Sequence, residues 1–184
     1  MLRSVAVRLL YESFHPEVSM YKKLNASVVS AVLALAFLPV AASAAQPESN
    51  RATTEAITSQ LNRYEKALNT SNTDEVMKLY ADDAVFMPQS FPTVIGKDNV
   101  RKAYDTIFKT IKLNVTFKID EVKRLSNDWA FARTNSSGTQ TVLSNNKQSA
   151  EGNQEIFIFH RSKDGTWQFA RYIFSTTNPP KSAE

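Results

Sequence analysis

The chain has 184 residues, no cysteine and two histidines, with 22 Lys plus Arg against 18 Asp plus Glu. That length suits one ordinary domain with an appendage, and the missing cysteines exclude disulfides, thiolate metal sites and a cysteine nucleophile. From Ala45 onward, 18 basic residues face 16 acidic ones. They are interspersed, without a basic stripe carrying aromatics, which argues against a nucleic-acid partner.

Met20 is followed by Lys22 and Lys23, an apolar run from Ala26 to Val40, and Ala42-Ser43-Ala44. A basic start, an apolar centre and a small-x-small site in that order predict a signal peptide over residues 20–44, cut after Ala44. The run is too short for a comfortable membrane span, so the exported protein, periplasmic or secreted, is expected to carry none. Residues 1–19 are either a start codon placed too early or an unusually long basic region. Residues 45–53 read as a polar linker, 54–178 as the domain and 179–184 as a frayed tail.

A helix is expected from about Ala52, with Ile57, Leu61, Tyr64 and Leu68 forming one apolar stripe. It breaks near Thr70, and Asn72 with Glu75 three residues later resembles a capping box for a second helix that buries Val76, Leu79 and Tyr80. Ala84 to Met87, stopped by Pro88, and Thr93 to Ile95 are short extended pieces. From Lys97 the helical period returns at Val100, Ala103, Tyr104, Ile107, Phe108 and Ile111.

The period then changes to two. Leu113 to Val122 alternates cleanly, Ser126-Asn127-Asp128 turns the chain, and strands follow over Trp129 to Leu143, Gln154 to Arg161 and Trp167 to Ser175. Helices followed by a meander of antiparallel strands predict an α+β domain with helices on one face of a sheet. The last strands are apolar on both faces: Phe157 and Phe159 against Ile156 and Ile158, then Trp167, Phe169 and Ile173 against Ala170, Tyr172 and Phe174. A second subunit packed sheet to sheet is the expected outer cover, making a homodimer.

His160 is the one histidine after Ala45, which removes most support for paired-histidine metal sites and for a Ser-His-acid triad. It reads as a structural side chain. Gly96, Gly138, Gly152 and Gly165 read as turns or strand ends, not as a phosphate loop. Asp82-Asp83 is either a metal ligand pair or, more simply, the polar link between the second helix and its strand. Neither a metal nor a cofactor is expected. Tyr64 and Tyr104, taken alone, are core residues with satisfied hydroxyls, and Phe157, Phe159, Tyr172 and Phe174 are core or cavity wall.

Arg63-Tyr64-x-x-Ala67-Leu68-Asn69, Leu79-Tyr80-Ala81-Asp82-Asp83-Ala84, Pro88, Gly96, Arg101 and Tyr104 resemble the bacterial ketosteroid isomerases. The wider group is the SnoaL-like and SgcJ/EcaC-like members of the nuclear-transport-factor-2-like superfamily. The resemblance implies a cone-shaped fold, a strongly bent antiparallel sheet wrapped around N-terminal helices, with one deep apolar pocket. The isomerase's hydrogen-bonding tyrosine falls on Tyr64, its partner acid on Glu155 and a supporting tyrosine on Tyr104. The proton-shuttling base falls on Met87, and a thioether accepts no proton at neutral pH.

Two states of Glu155 follow from that placement. In one, apolar neighbours such as Phe157 keep it neutral, and with Tyr64 it donates to a ligand oxygen, as the isomerase's acid does. In the other, Arg133, which the resemblance points inward, holds it ionised. Arg133 is alternatively a clamp for a ligand carboxylate. The expected pocket wall is Tyr64, Met87, Tyr104, Phe108, Arg133, Glu155, Phe157, Tyr172 and Phe174. The first functional expectation is binding of a small hydrophobic or carbonyl-bearing molecule without turnover. The second is an isomerase, cyclase or dehydratase using Tyr64 and Glu155 with Asp83 as the nearest replacement base; a third is a dimeric interaction module.

Overall fold

A computed structural model describes residues 45–179; residues 1–19, the signal peptide expected over residues 20–44 and residues 180–184 of the expected tail lie outside them. Helix α1 spans Ala45–Asn69, so the linker expected over residues 45–53 is helical instead. Proline is tolerated in a first helical turn, where its missing N–H has no partner to lose. The Thr53 and Thr54 hydroxyls donate back to the carbonyls of Ser49 and Asn50 at 2.9 and 3.0 Å, the i to i−4 bonds that helical backbone brings within reach. Farther along, Ile57, Leu61, Tyr64 and Leu68 are all buried, as their spacing requires.

Helix α2, Thr73–Met77, is capped by Asn72, whose side chain accepts from the Glu75 N–H at 3.1 Å. Strand β1 covers Tyr80–Met87 and β2 Val94–Ile95. Asp82 and Asp83 therefore lie within a strand rather than before it, at an irregularity where β1 shifts register against β6, with both side chains exposed. Helix α3, Lys97–Thr110, runs straight into β3, Ile111–Arg124. Three long strands follow: β4, Trp129–Val142, β5, Lys147–Arg161, and β6, Trp167–Thr176.

The sheet order is β2-β1-β6-β5-β4-β3. The pairs along β3 to β6 are antiparallel, whereas β1 joins β6 in parallel, so the sheet is mixed. It curls around the helices as an open cone. A bulge at Ala170 corrects the expected face assignment: Phe159 pairs with Phe169 while the adjacent Ile158 pairs with Arg171. The extra residue returns Tyr172 and Phe174 to the inner face with Phe169, leaving Ile173 outside. Phe157, Phe159 and Phe169 are fully buried, but Ile156 and Ile173 remain 42% and 47% exposed on the outer face.

The free edge of β3 is closed by α1. Asn69 Nδ2 donates to the Val115 carbonyl and Asn69 Oδ1 accepts from the Val115 N–H, both at 2.8 Å. The Phe117 N–H donates to Glu65 Oε2 at 2.7 Å. Side chains of the helix thus supply the pairing that an edge strand lacks, and they fix α1 against β3. No helix among the described residues is long and apolar enough to cross a membrane.

Candidate functional site

A cavity of about 640 Å³ lies between α1, α3 and the inner face of the sheet. Tyr64 and Leu68 come from α1, Tyr104 and Ile107 from α3, and Phe86, Phe117, Tyr172 and Phe174 from the strands. Phe91, on the 88–93 loop, lines it while 74% exposed, which places that loop at the entrance. The volume falls in the range of small-molecule pockets, and the walls are mainly aromatic and aliphatic.

The tyrosines form a buried hydroxyl chain. Tyr64 Oη meets Tyr104 Oη at 2.5 Å, and Tyr104 Oη meets Tyr80 Oη at 2.9 Å. The Tyr64 ring stands edge-on to Phe169, Phe157, Tyr172 and Phe117 with centroids 5.3 to 5.8 Å away, which locks its position. Burial pushes the phenols of Tyr64, Tyr80, Tyr104 and Tyr172 above their ordinary value, so each stays protonated. Tyr172 and Glu155 line the same cavity from adjacent strands, and the negative charge of Glu155 adds to the effect of burial on the Tyr172 phenol.

Glu155 is 3% exposed. The Ser136 hydroxyl donates to its Oε1 at 2.6 Å and the Thr134 hydroxyl to its Oε2. Burial raises the Glu155 pKa, the two hydroxyl bonds oppose the rise, and Glu151 adds to it. That direction is opposite to what an ion pair would produce. Asn153 extends the polar row: its Nδ2 donates to Glu151 Oε1 at 2.8 Å and lies 3.5 Å from Ser136 Oγ.

The expected pair of Arg133 with Glu155 does not form. Thr134 is the residue that faces Glu155 across the β4–β5 ladder, so Arg133, one position away, projects from the opposite face. Arg133 Nη1 instead lies 2.9 Å from Asp120 Oδ2. Met87 also points away from the cavity: Phe86 and Pro88 are on the wall, and Met87 pairs with Ile173 of the outer face. Asp83 lies outside, with its carboxylate 3.9 Å from Arg171, so it is not placed to serve as a base in the cavity. Phe108 packs beside Tyr104 with centroids 5.7 Å apart, and Phe157 stacks behind Tyr172 at 4.2 Å; neither lines the cavity.

Of the expected wall, the structure brings together Tyr64, Tyr104, Glu155, Tyr172 and Phe174. It adds Ser136, Gln140, Glu151 and Asn153, which sequence reasoning missed. Their signal was present as the polar series Glu151, Asn153, Glu155 at spacing two, legible only if β5 is extended back to Lys147. Among the described residues no group of three or more His, Asp or Glu is arranged to hold a metal ion.

A curled α+β sheet closed by helices over an apolar cavity is the architecture of the nuclear-transport-factor-2-like proteins. Within that class, residues 61–170 match the profile of the SnoaL-like domain, and the chain belongs to that family. It is similar to the crystal structure of a ketosteroid isomerase-like protein from Erwinia carotovora atroseptica SCRI1043, at 33% identity and TM-score 0.66, over 68% of this chain and 96% of that one. A conserved protein from Planctomyces limnophilus DSM 3776 shares the fold at 22% identity and TM-score 0.62, covering 68% of this chain and 98% of its own. So does a nuclear transport factor 2-like superfamily protein from Salmonella enterica serovar Typhimurium LT2, at 15% identity and TM-score 0.62, covering 73% and 97%. No curated protein matches the chain in a sequence comparison.

Proposed function

We propose that this chain is an exported, homodimeric binding protein whose cavity holds a small hydrophobic molecule bearing one polar group, without turning it over. The carbonyl-bearing ligand suggested by the resemblance is one version of this reading. The observation that carries it is the composition of β1. At the position where a ketosteroid isomerase needs a carboxylate, the strand has Met87, aimed outward, and the neighbours that do line the cavity are Phe86 and Pro88. Abstraction of a proton beside a carbonyl needs an acceptor within hydrogen-bond reach, and none of these three side chains is one. The aromatic walls remain suited to burying an apolar body.

Export rests on the Lys22-Lys23, Ala26 to Val40 and Ala42-Ser43-Ala44 pattern. Native mass spectrometry of the exported protein tests both halves of the proposal. The expected product begins at Ala45 and carries the mass increment of a small organic molecule, while a model ketosteroid is left unconverted. Ketosteroid turnover that disappears in Glu155→Gln would replace this reading with an isomerase.

A further inference from the structure

The charge lining the cavity has one sign. Glu151 and Glu155 are acidic, and no Lys, Arg or His is on the wall among the described residues. On the outer face of the same sheet Arg133 pairs with Asp120 and Glu121, and Arg171 with Asp83. The two acids are also joined. Glu151 accepts from Asn153, Asn153 reaches Ser136, and Ser136 donates to Glu155, so a single polar row crosses β4 and β5.

Among the described residues both side-chain hydrogen bonds to Glu155 come from hydroxyls, one to each carboxyl oxygen, and neither brings positive charge. Hydroxyl dipoles replace part of the lost hydration of a buried carboxylate, and these protein groups leave the remainder as a cost. A ligand cation would remove that cost. A ligand carboxylate or phosphate would add repulsion from both acids, and a carbonyl oxygen would meet oxygens that already accept. Beside the row, Phe86 stacks on Tyr172 with centroids 5.4 Å apart and on Phe174 at 6.1 Å. That stacked wall suits an apolar body, and the acids beside it suit the charged end.

Resting on the pocket-binding reading above, we propose that the ligand is a hydrophobic amine, with its ammonium group at the Glu151–Glu155 row and its apolar body against Phe86, Tyr172 and Phe174. Three probes with one apolar body separate the possibilities: naphthylethylamine, naphthylethanol and naphthylacetate, titrated calorimetrically into the full exported protein at pH 7. The amine is expected to bind at least about 10-fold tighter than the alcohol, the magnitude of one charge-assisted hydrogen bond, and the acetate not at all. Glu155→Gln should bring the amine down to the level of the alcohol, and Glu151→Gln should move it in the same direction by a smaller factor. An alcohol or acetate that binds wild type as tightly as the amine would overturn the amine assignment and leave the pocket standing. Failure of all three probes to bind wild type would overturn the pocket reading along with it.

Discussion

Glu155 is where burial and charge conflict most directly. Its folded pKa lies above the ordinary 4.5, with burial as the largest cause. The folded state therefore holds this proton more tightly than the unfolded chain does, so the group favours folding at low pH. As pH rises through the unfolded value that advantage is lost, and above the folded pKa the ionised carboxyl is a full cost. Glutamine keeps the size and one acceptor, and its NH₂ can donate to a hydroxyl that turns to receive it. Glu155→Gln is therefore expected to melt above wild type at pH 7, with the gap closing toward pH 4, as followed by circular dichroism. A gap that widens on acidification would contradict the stated direction. Tyr64, Tyr104 and Glu155 were legible from the sequence because each has a counterpart in the isomerase pattern. The orientation of Arg133 was not, since parity along a strand depends on which residue faces Glu155, and a shift of one position reverses it.

At the scale of elements, sequence periodicity is informative where a strand faces the core and silent where it faces the site. The half of β5 from Lys147 to Asn153 was missed because its inner positions carry Glu151 and Asn153 for the cavity instead of apolar residues. Gly138 was misread for a related reason. It lies inside β4, not at a turn, with φ 155°, and a Cβ built on it would lie 2.1 Å from the Asn114 carbonyl oxygen of β3. Backbone that close leaves room for a hydrogen only, and Gly138 also sits opposite Glu151, beside the polar row. Gly138→Ala must either spread β3 from β4 or twist the strand. Strain and overpacking together give an expected loss of about 3 kcal/mol, a fall in Tm on the order of 10 °C. Thermal melting checks it, and a Tm within a degree or two of wild type would mean that the two strands are free to part.

The sheet presents two apolar faces, and among the described residues only the inner one is covered. Across the outer face, Met87 of β1 pairs with Ile173 of β6, and Ile173 pairs with Ile156 of β5. Phe131 and Ile158 form the next cross-strand pair, and Trp129 lies against His160 with ring centroids 4.4 Å apart. Arg133 and Arg171 border this row, each balanced by acids of its own chain. An apolar centre with a neutralised polar border is the anatomy of an interface between copies, and a strand face can meet its own copy about a two-fold axis. The proposed dimer then has a sharp consequence for Ile173, which is outside the cavity lining. Ile173→Lys places a charge at the centre of the buried patch, where desolvation without a partner is costly. Light scattering of the exported wild type should give twice the subunit mass and the variant a single subunit mass. The variant should still bind whatever probe the wild type binds, since its cavity wall is intact. A wild-type protein that is monomeric at tens of micromolar would remove the dimer and leave the outer face of the sheet exposed to solvent.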